Sequence, residues 1–226
     1  MITKELLSPK SIVVVGGSDD TKKTGGSALR NLIQTGYKGK LMVVNPKAAN
    51  VQGIPTYKSI EELPQTDLAI LAIPASACPE AVDYLCSKKG CKAVIIYSAG
   101  FHEDSEEGAI LEKRIVESVN NAGASLIGPN CIGVLTPEYA GLFTQPIPEL
   151  SKNGVDIISG SGATVVFILE AAMQLGLKFS SIYSVGNSAQ IGVEDLVQYM
   201  DETYVHGESA PVKLLYIENI SKPEVL

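Results

Sequence analysis

Two glycine-rich turns and a glutamate at a strand end carry most of the chemistry available to this sequence. The first turn, Gly16-Gly17-Ser18-Asp19-Asp20-Thr21-Lys22-Lys23-Thr24-Gly25-Gly26, follows an apolar, β-branched run that begins at Ser11. Such a turn between a strand and a helix start presents backbone N–H groups and the positive end of a helix dipole to an anion. Seven residues separate Gly17 from Gly25, so the spacing is not the G-x-G-x-x-G of dinucleotide sites. The second apolar run ends in Val44-Asn45-Pro46-Lys47. A dinucleotide site commonly has an acid there for the ribose 2′-hydroxyl. Here Asn45 takes the place, with the cation Lys47 two positions on. A lysine suits a phosphate ester on the ribose, which coenzyme A and NADP carry and NAD does not. A solvated lysine after a proline turn is the plain alternative.

The second turn, Ile157-Ile158-Ser159-Gly160-Ser161-Gly162-Ala163-Thr164, is again strand, glycine turn and helix start. Its free N–H groups and hydroxyl can hold a dianion, each exposed contact contributing on the order of 0.3–1 kcal/mol. Ser161 reads equally well as an ordinary helix N-cap. Leu215-Tyr216-Ile217-Glu218 is an apolar run closed by a carboxylate, which a surface position at a strand end also explains. The four cysteines, Cys78, Cys86, Cys91 and Cys131, form no C-x-x-C pair, and His102 and His206 lie far from them in sequence. Buried reduced thiols and no metal site are expected.

Strand–helix alternation must position these groups. Apolar runs at 11–16, 41–44, 68–73, 93–97 and 125–127 read as strands, with helices over 27–35, 79–88 and about 106–121 between them. The alternation implies a doubly wound parallel sheet with right-handed crossovers. Pro137, Pro146 and Pro148 then punctuate a stretch without clear period, which reads as a linker over 136–152. Alternation resumes with strands at 155–158, 181–185 and 213–217 and helices at 163–175 and near 193–200. Three strands make a thin sheet, so either this second unit is only the first part of a domain or another segment completes it.

Composition agrees with two α/β domains. Of 226 residues 45% are apolar, enough for buried sheets. A net charge of −7, no tryptophan and 6% aromatic residues argue against a nucleic-acid partner. No apolar stretch reaches the ~20 residues that span a bilayer, and the first residues lack a signal-peptide pattern, so no membrane contact and a cytoplasmic location are expected.

The ordered set of segments resembles the CoA-binding domain of NDP-forming acyl-CoA synthetases, the ADP-forming acetate–CoA ligases related to the succinyl-CoA synthetase α subunit. The segments are Ser11 to Ser18, Lys23 to Gly26, Asn31-Leu32, Gly36 to Gly39, Val44 to Lys47, Asp67 to Ile70, Ile73 to Ala75, Tyr97 to Phe101 and Gly128 to Gly133. They cover nearly all of 8–135. Gly17 replaces a commoner alanine, and Asp19 and Asp20 put negative charge into a phosphate loop. The resemblance implies a Rossmann-like domain over 1–135 and, over 153–226, the first part of a flavodoxin-like domain of the succinyl-CoA synthetase type.

What the resemblance implies about function follows residue by residue. Gly16, Gly17, Ser18, Lys23 and Gly25 surround the CoA phosphates, and Asn45 and Lys47 meet the nucleotide end. Pro74, Ser98, Ala99, Gly100, Phe101 and Asn130 line the CoA groove. Ser161, Gly162 and Ala163 aim a helix N-terminus at a phosphorylated histidine, which Glu218 orients. That histidine lies beyond this chain, and neither His102 nor His206 matches its place. The family joins an acyl group to CoA at the expense of ATP, through acyl phosphate and phosphohistidine. ATP or ADP with Mg belongs to an ATP-grasp domain or subunit outside this chain, so the chain is expected to bind CoA, acyl-CoA and phosphate within an oligomer but not to turn over alone. The rival readings are a non-catalytic CoA-binding module of an acetyltransferase-type fusion and an NAD(P)-dependent oxidoreductase.

Overall fold

In the computed structural model, which describes residues 1–225, β1 (Ser11–Val15) forms the centre of the first sheet. Ile12, Val13 and Val14 are fully buried, as an apolar run covered on both faces requires. A short helix, α1 (Lys4–Leu7), precedes it, and α2 (Thr24–Gln34) leads from it to β2 (Lys40–Val44). The hairpin β3 (Asn50–Val51) and β4 (Ile54–Tyr57) follows, then β5 (Leu68–Leu71), α3 (Cys78–Lys89), β6 (Ala93–Ile96), α4 (Glu106–Ala122) and β7 (Ser125–Ile127). The sheet order is β3-β4-β2-β1-β5-β6-β7, parallel throughout except for the β3–β4 edge hairpin. Both long helices end where a glycine takes the left-handed region, Gly90 at φ 68° and Gly123 at φ 60°.

The second sheet is built from β8 (Gly133–Leu135), β9 (Ala140–Leu142), β10 (Leu150–Ser159), β11 (Phe179–Ser184) and β12 (Val212–Tyr216), with α5 (Gly162–Gln174) and α6 (Val193–Glu202) in the connections. Its order is β12-β10-β11-β8-β9. β10 runs parallel to β11 and β12, whereas β8 pairs antiparallel with β11 and β9 antiparallel with β8. The chain is therefore α/β, a Rossmann-like unit followed by a flavodoxin-like one.

The stretch expected to be a linker differs from that reading. It contains β9 and the start of β10, and β8 before it belongs to the second sheet. Three-residue antiparallel strands between prolines show no period, which hides them from a pattern search. They are the segment that widens the thin sheet. The hairpin also fastens the two units: Asn31 Nδ2 donates to the carbonyls of Leu142 at 2.7 Å and Thr144 at 3.0 Å, and Tyr97 Oη donates to Gly141 O at 2.8 Å. One apolar cluster accordingly runs from Ile12 and Val14 to Tyr183, Val185 and Leu196.

Candidate functional site

The first sheet reverses its direction of winding at β1, with β2 on one side and β5 on the other. Ligands of open parallel sheets collect at this point, outside the carboxyl ends of the strands. The loop after β1 is held there by close backbone packing. Gly16 has φ +88°, and a Cβ on it would lie 2.4 Å from Ala72 O. A Cβ on Gly25 would lie 2.3 Å from Gly16 O, so α2 can start against the loop only because both residues lack side chains.

Helix α2 begins with Lys23 at its N-cap, makes no side-chain cap and carries no acid in its first turn. Its positive end is thus left for an outside anion. Asn45 Nδ2 donates to Gly17 O at 2.9 Å, and Asn45 Oδ1 accepts from the N–H groups of Lys47 at 2.8 Å and Ala48 at 3.0 Å. Lys23 and Lys47 are both exposed, as is Asp19, whereas Ser18 is half-buried. The aspartates are engaged with backbone: Asp19 Oδ1 accepts from Gln52 N at 2.7 Å and Asp20 Oδ1 from Lys22 N at 3.0 Å. Gln52 Nε2 ties the loop further, donating to Ser18 O at 2.7 Å and Gly26 O at 2.8 Å.

Pro74 follows β5 and is exposed, and Ser98, Ala99 and Gly100 follow β6. Ser98 Oγ donates to Ile73 O, joining these two strand ends. Phe101 departs from its expected place in the groove: its side chain is fully buried in the core with Ile115 and Val119. An aromatic ring next to a glycine turn gains more from that apolar pocket than from solvent.

A second cluster surrounds a cavity of about 240 Å³ lined by His102, Glu103, Asn130, Gly160, Gly186, Asn187, Ser188, Glu218 and Asn219. Glu218 is exposed and its Cβ lies 3.4 Å from where a Gly160 Cβ would stand. Helix α5 starts beside it with no acid in its first turn, and the Ser161 hydroxyl serves as N-cap, accepting from Thr164 N at 3.3 Å. Gly162 is pressed against Ile132, whose Cγ2 is 2.5 Å from an ideal Cβ, and Ala163 is exposed. Asn130 joins the two clusters, since its N–H donates to Ser98 O at 2.9 Å while its side chain lines the cavity.

Sequence reasoning missed Glu103, Glu112 and Ser188 and set His102 aside as a surface residue. Burial pushes the Glu103 carboxyl up, but hydrogen bonds from Asn187 and from the Gly100 and Phe101 N–H groups outweigh it and hold the group below the usual carboxylate range. No local spacing announces this cluster, because its members come from a loop, a helix and the other sheet. A wider opening, about 1190 Å³, lies elsewhere, at the amino ends of β1 and β2 around Lys10, Tyr37 and Lys40.

Comparison with known proteins matches both units of the chain. Residues 10–137 match the model of a CoA binding domain, and residues 152–226 match a succinyl-CoA ligase like flavodoxin domain. The α subunit of an ADP-forming acetate–CoA ligase II from Pyrococcus furiosus is 38% identical over 94% of this chain and 45% of its own length. An ADP-forming acetate–CoA ligase I from Archaeoglobus fulgidus is 34% identical over 96% of this chain and 31% of its own length. A solved acetyl-coenzyme A synthetase 1 from Ca. Korarchaeum cryptofilum, in complex with phosphate and ADP, superposes with a TM-score of 0.87 at 30% identity, over 98% of this chain and 47% of that one. The chain thus spans half or less of the length of these relatives. With two adjoining domain matches and relatives at this identity, the chain belongs to the NDP-forming acyl-CoA synthetases related to the succinyl-CoA synthetase α subunit.

Proposed function

We propose that this chain is the CoA-binding portion of an ADP-forming acyl-CoA synthetase, which interconverts acyl-CoA, ADP and phosphate with a carboxylic acid, CoA and ATP. The observation that carries the reading is the uncompensated start of α2 at the sheet's switch point, beside a loop tied through Asn45 to the tip of β2. Backbone N–H groups at Gly17, Ser18 and Gly25 take the CoA diphosphate, while Gly16, whose own N–H is held by Val44 O at 3.0 Å, shapes the turn around it. Lys23 and Lys47 take the ribose phosphate, and Ser98, Ala99 and Gly100 border the path of the pantetheine arm past Pro74.

The cavity by Glu218 takes phosphate, with the α5 start at Ser161, Gly162 and Ala163 facing it. A solved relative was obtained in complex with phosphate and ADP, which supports phosphate as a ligand of such an enzyme. Glu218 there orients a histidine supplied from outside this chain, as a carboxylate hydrogen-bonded to one ring nitrogen fixes an imidazole tautomer. ATP or ADP with Mg binds in an ATP-grasp domain or subunit, so the whole enzyme works as a larger assembly in the cytoplasm. Within this reading residues 1–135 are the CoA domain and 153–226 the ligase-like domain, with β8 at the end of the first and β9 between the two both serving the second sheet.

Calorimetry with CoA, dephospho-CoA, NAD and NADP tests the proposal. CoA is expected to bind more tightly than dephospho-CoA, with Lys23→Ala or Lys47→Ala removing the difference. Uptake of NADP without CoA contradicts the proposal.

A further inference from the structure

Five side chains at and behind the small cavity, Asn130, Asn187, Glu103, Glu112 and His102, form one hydrogen-bond chain that spans both sheets. Asn187, on the loop after β11, donates Nδ2 to Glu112 Oε2 at 3.0 Å and to Glu103 Oε2. Glu112 stands on α4 and Glu103 on the loop after β6. The other Glu112 oxygen lies 2.7 Å from His102 Nδ1, and the other Glu103 oxygen accepts from Gly100 N at 2.7 Å. Asn187 Oδ1 in turn accepts from Asn130 Nδ2 at 3.3 Å.

The backbone enforces the meeting. Asn187 N donates to Pro129 O at 2.9 Å, and Gly186 at φ +55° lets the loop approach so closely that a Cβ would lie 2.3 Å from the same oxygen. A carboxylate can only accept, and a carboxamide nitrogen has two hydrogens to give. Both hydrogens of Asn187 are committed to the glutamates, so its oxygen must face Asn130, and Asn130 must turn its nitrogen inward. One Asn130 N–H then remains for whatever occupies the cavity that Asn130 and Glu218 share.

We infer that Glu103 and Glu112 are positioning residues for this cavity, setting the orientation of the Asn187 carboxamide and through it the donor that Asn130 offers to an anion. The inference rests on the reading of the cavity as a phosphate site. The glutamates act as acceptors of fixed geometry, their oxygens engaged by the Asn187 amide, the Gly100 N–H and the His102 ring. Glu112→Gln can keep both contacts, its oxygen toward Asn187 and its nitrogen donating to His102 Nδ1 in the tautomer that accepts there, whereas Glu112→Ala keeps neither.

The test uses the chain with inorganic phosphate as probe, followed by the side-chain amide resonances of Asn130 and Asn187, and with CoA calorimetry as control. Glu112→Ala is expected to weaken phosphate about fivefold, the net worth of one hydrogen bond, and to shift the Asn187 resonances. Glu112→Gln is expected to restore phosphate affinity to within about twofold of the parent, and CoA affinity is expected to hold in both variants. If Glu112→Ala does not fold, Glu103→Ala removes the other acceptor and carries the same expectation. Unchanged phosphate affinity in the alanine variant overturns the inference. So does equal loss in glutamine, which assigns the role to charge, and so does a parent chain whose Asn130 resonances ignore phosphate. A chain that binds CoA yet gives one of these results loses only this inference, whereas failure to bind CoA removes the function proposed above.

Discussion

The Asn45 carboxamide nitrogen donates to the Gly17 carbonyl at 2.9 Å, while its oxygen receives the N–H groups of Lys47 and Ala48. One side chain thereby sets the glycine loop after β1 and the turn that carries Lys47. Asn45→Asp keeps the acceptor but aims a carboxylate at the Gly17 carbonyl and adds negative charge beside the proposed phosphates. CoA affinity is expected to fall at least about tenfold, equivalent to ~1.4 kcal/mol. Titration calorimetry on parent and variant checks this, and equal affinities contradict the role given to Asn45.

Gly25→Ala tests the packing of α2 on the loop. The added Cβ meets the Gly16 carbonyl at 2.3 Å, a backbone atom that cannot swing aside. A destabilisation of about 2 kcal/mol is expected, in the range of overpacked core positions. Chemical denaturation measures it, and loss of CoA binding should accompany the shift of the loop.

Asp156 predicts a pH-dependent difference. Burial lifts its carboxyl above the usual range, against the Ser181 Oγ hydrogen bond at 2.6 Å and the charge of Lys213. A raised folded value means that the charged form is disfavoured in the fold. The side chain therefore costs stability at neutral pH, and the cost fades as pH falls through the folded value and is gone below the unfolded one. Asp156→Asn is expected to melt higher than the parent at neutral pH, with the gap closing in acid. A gap that widens in acid reverses the assignment.

The four cysteines give a chemical test of the core. All are free and buried, and burial raises their thiols to about 12 for Cys78, Cys91 and Cys131 and about 11 for Cys86. Since the thiolate is the nucleophile, none is expected to react with an alkylating reagent at neutral pH until the chain is denatured. Mass spectrometry of the native and denatured protein reads this directly.

Much of the fold was legible because buried parallel strands announce themselves. Ser11 to Val15, Leu68 to Leu71 and Ala93 to Ile96 are short, unbroken and apolar, and each is bounded by glycine, proline or a polar turn. The β8–β9 hairpin was not legible, since its strands are three residues long and carry glycines at 133 and 141. The glycine turn proposed to hold phosphate was legible for the same reason as β1, since it lies at that strand's end. The glutamate pair was not: Glu103 and Glu112 find Asn187 only after two sheets have packed, and nothing near any of the three residues marks the meeting. Phe101 shows the reverse case, a residue expected in the groove from its place after β6 whose ring turns into the core instead.

Backbone amide exchange with and without CoA tests the central claim most directly, because it reports both binding and its place. CoA is expected to slow exchange across residues 16–26, 45–48 and 98–100, while the opening around Tyr37 and Pro146 is unaffected. Protection at that opening, or protection of 16–26 by NADP and not by CoA, contradicts the account.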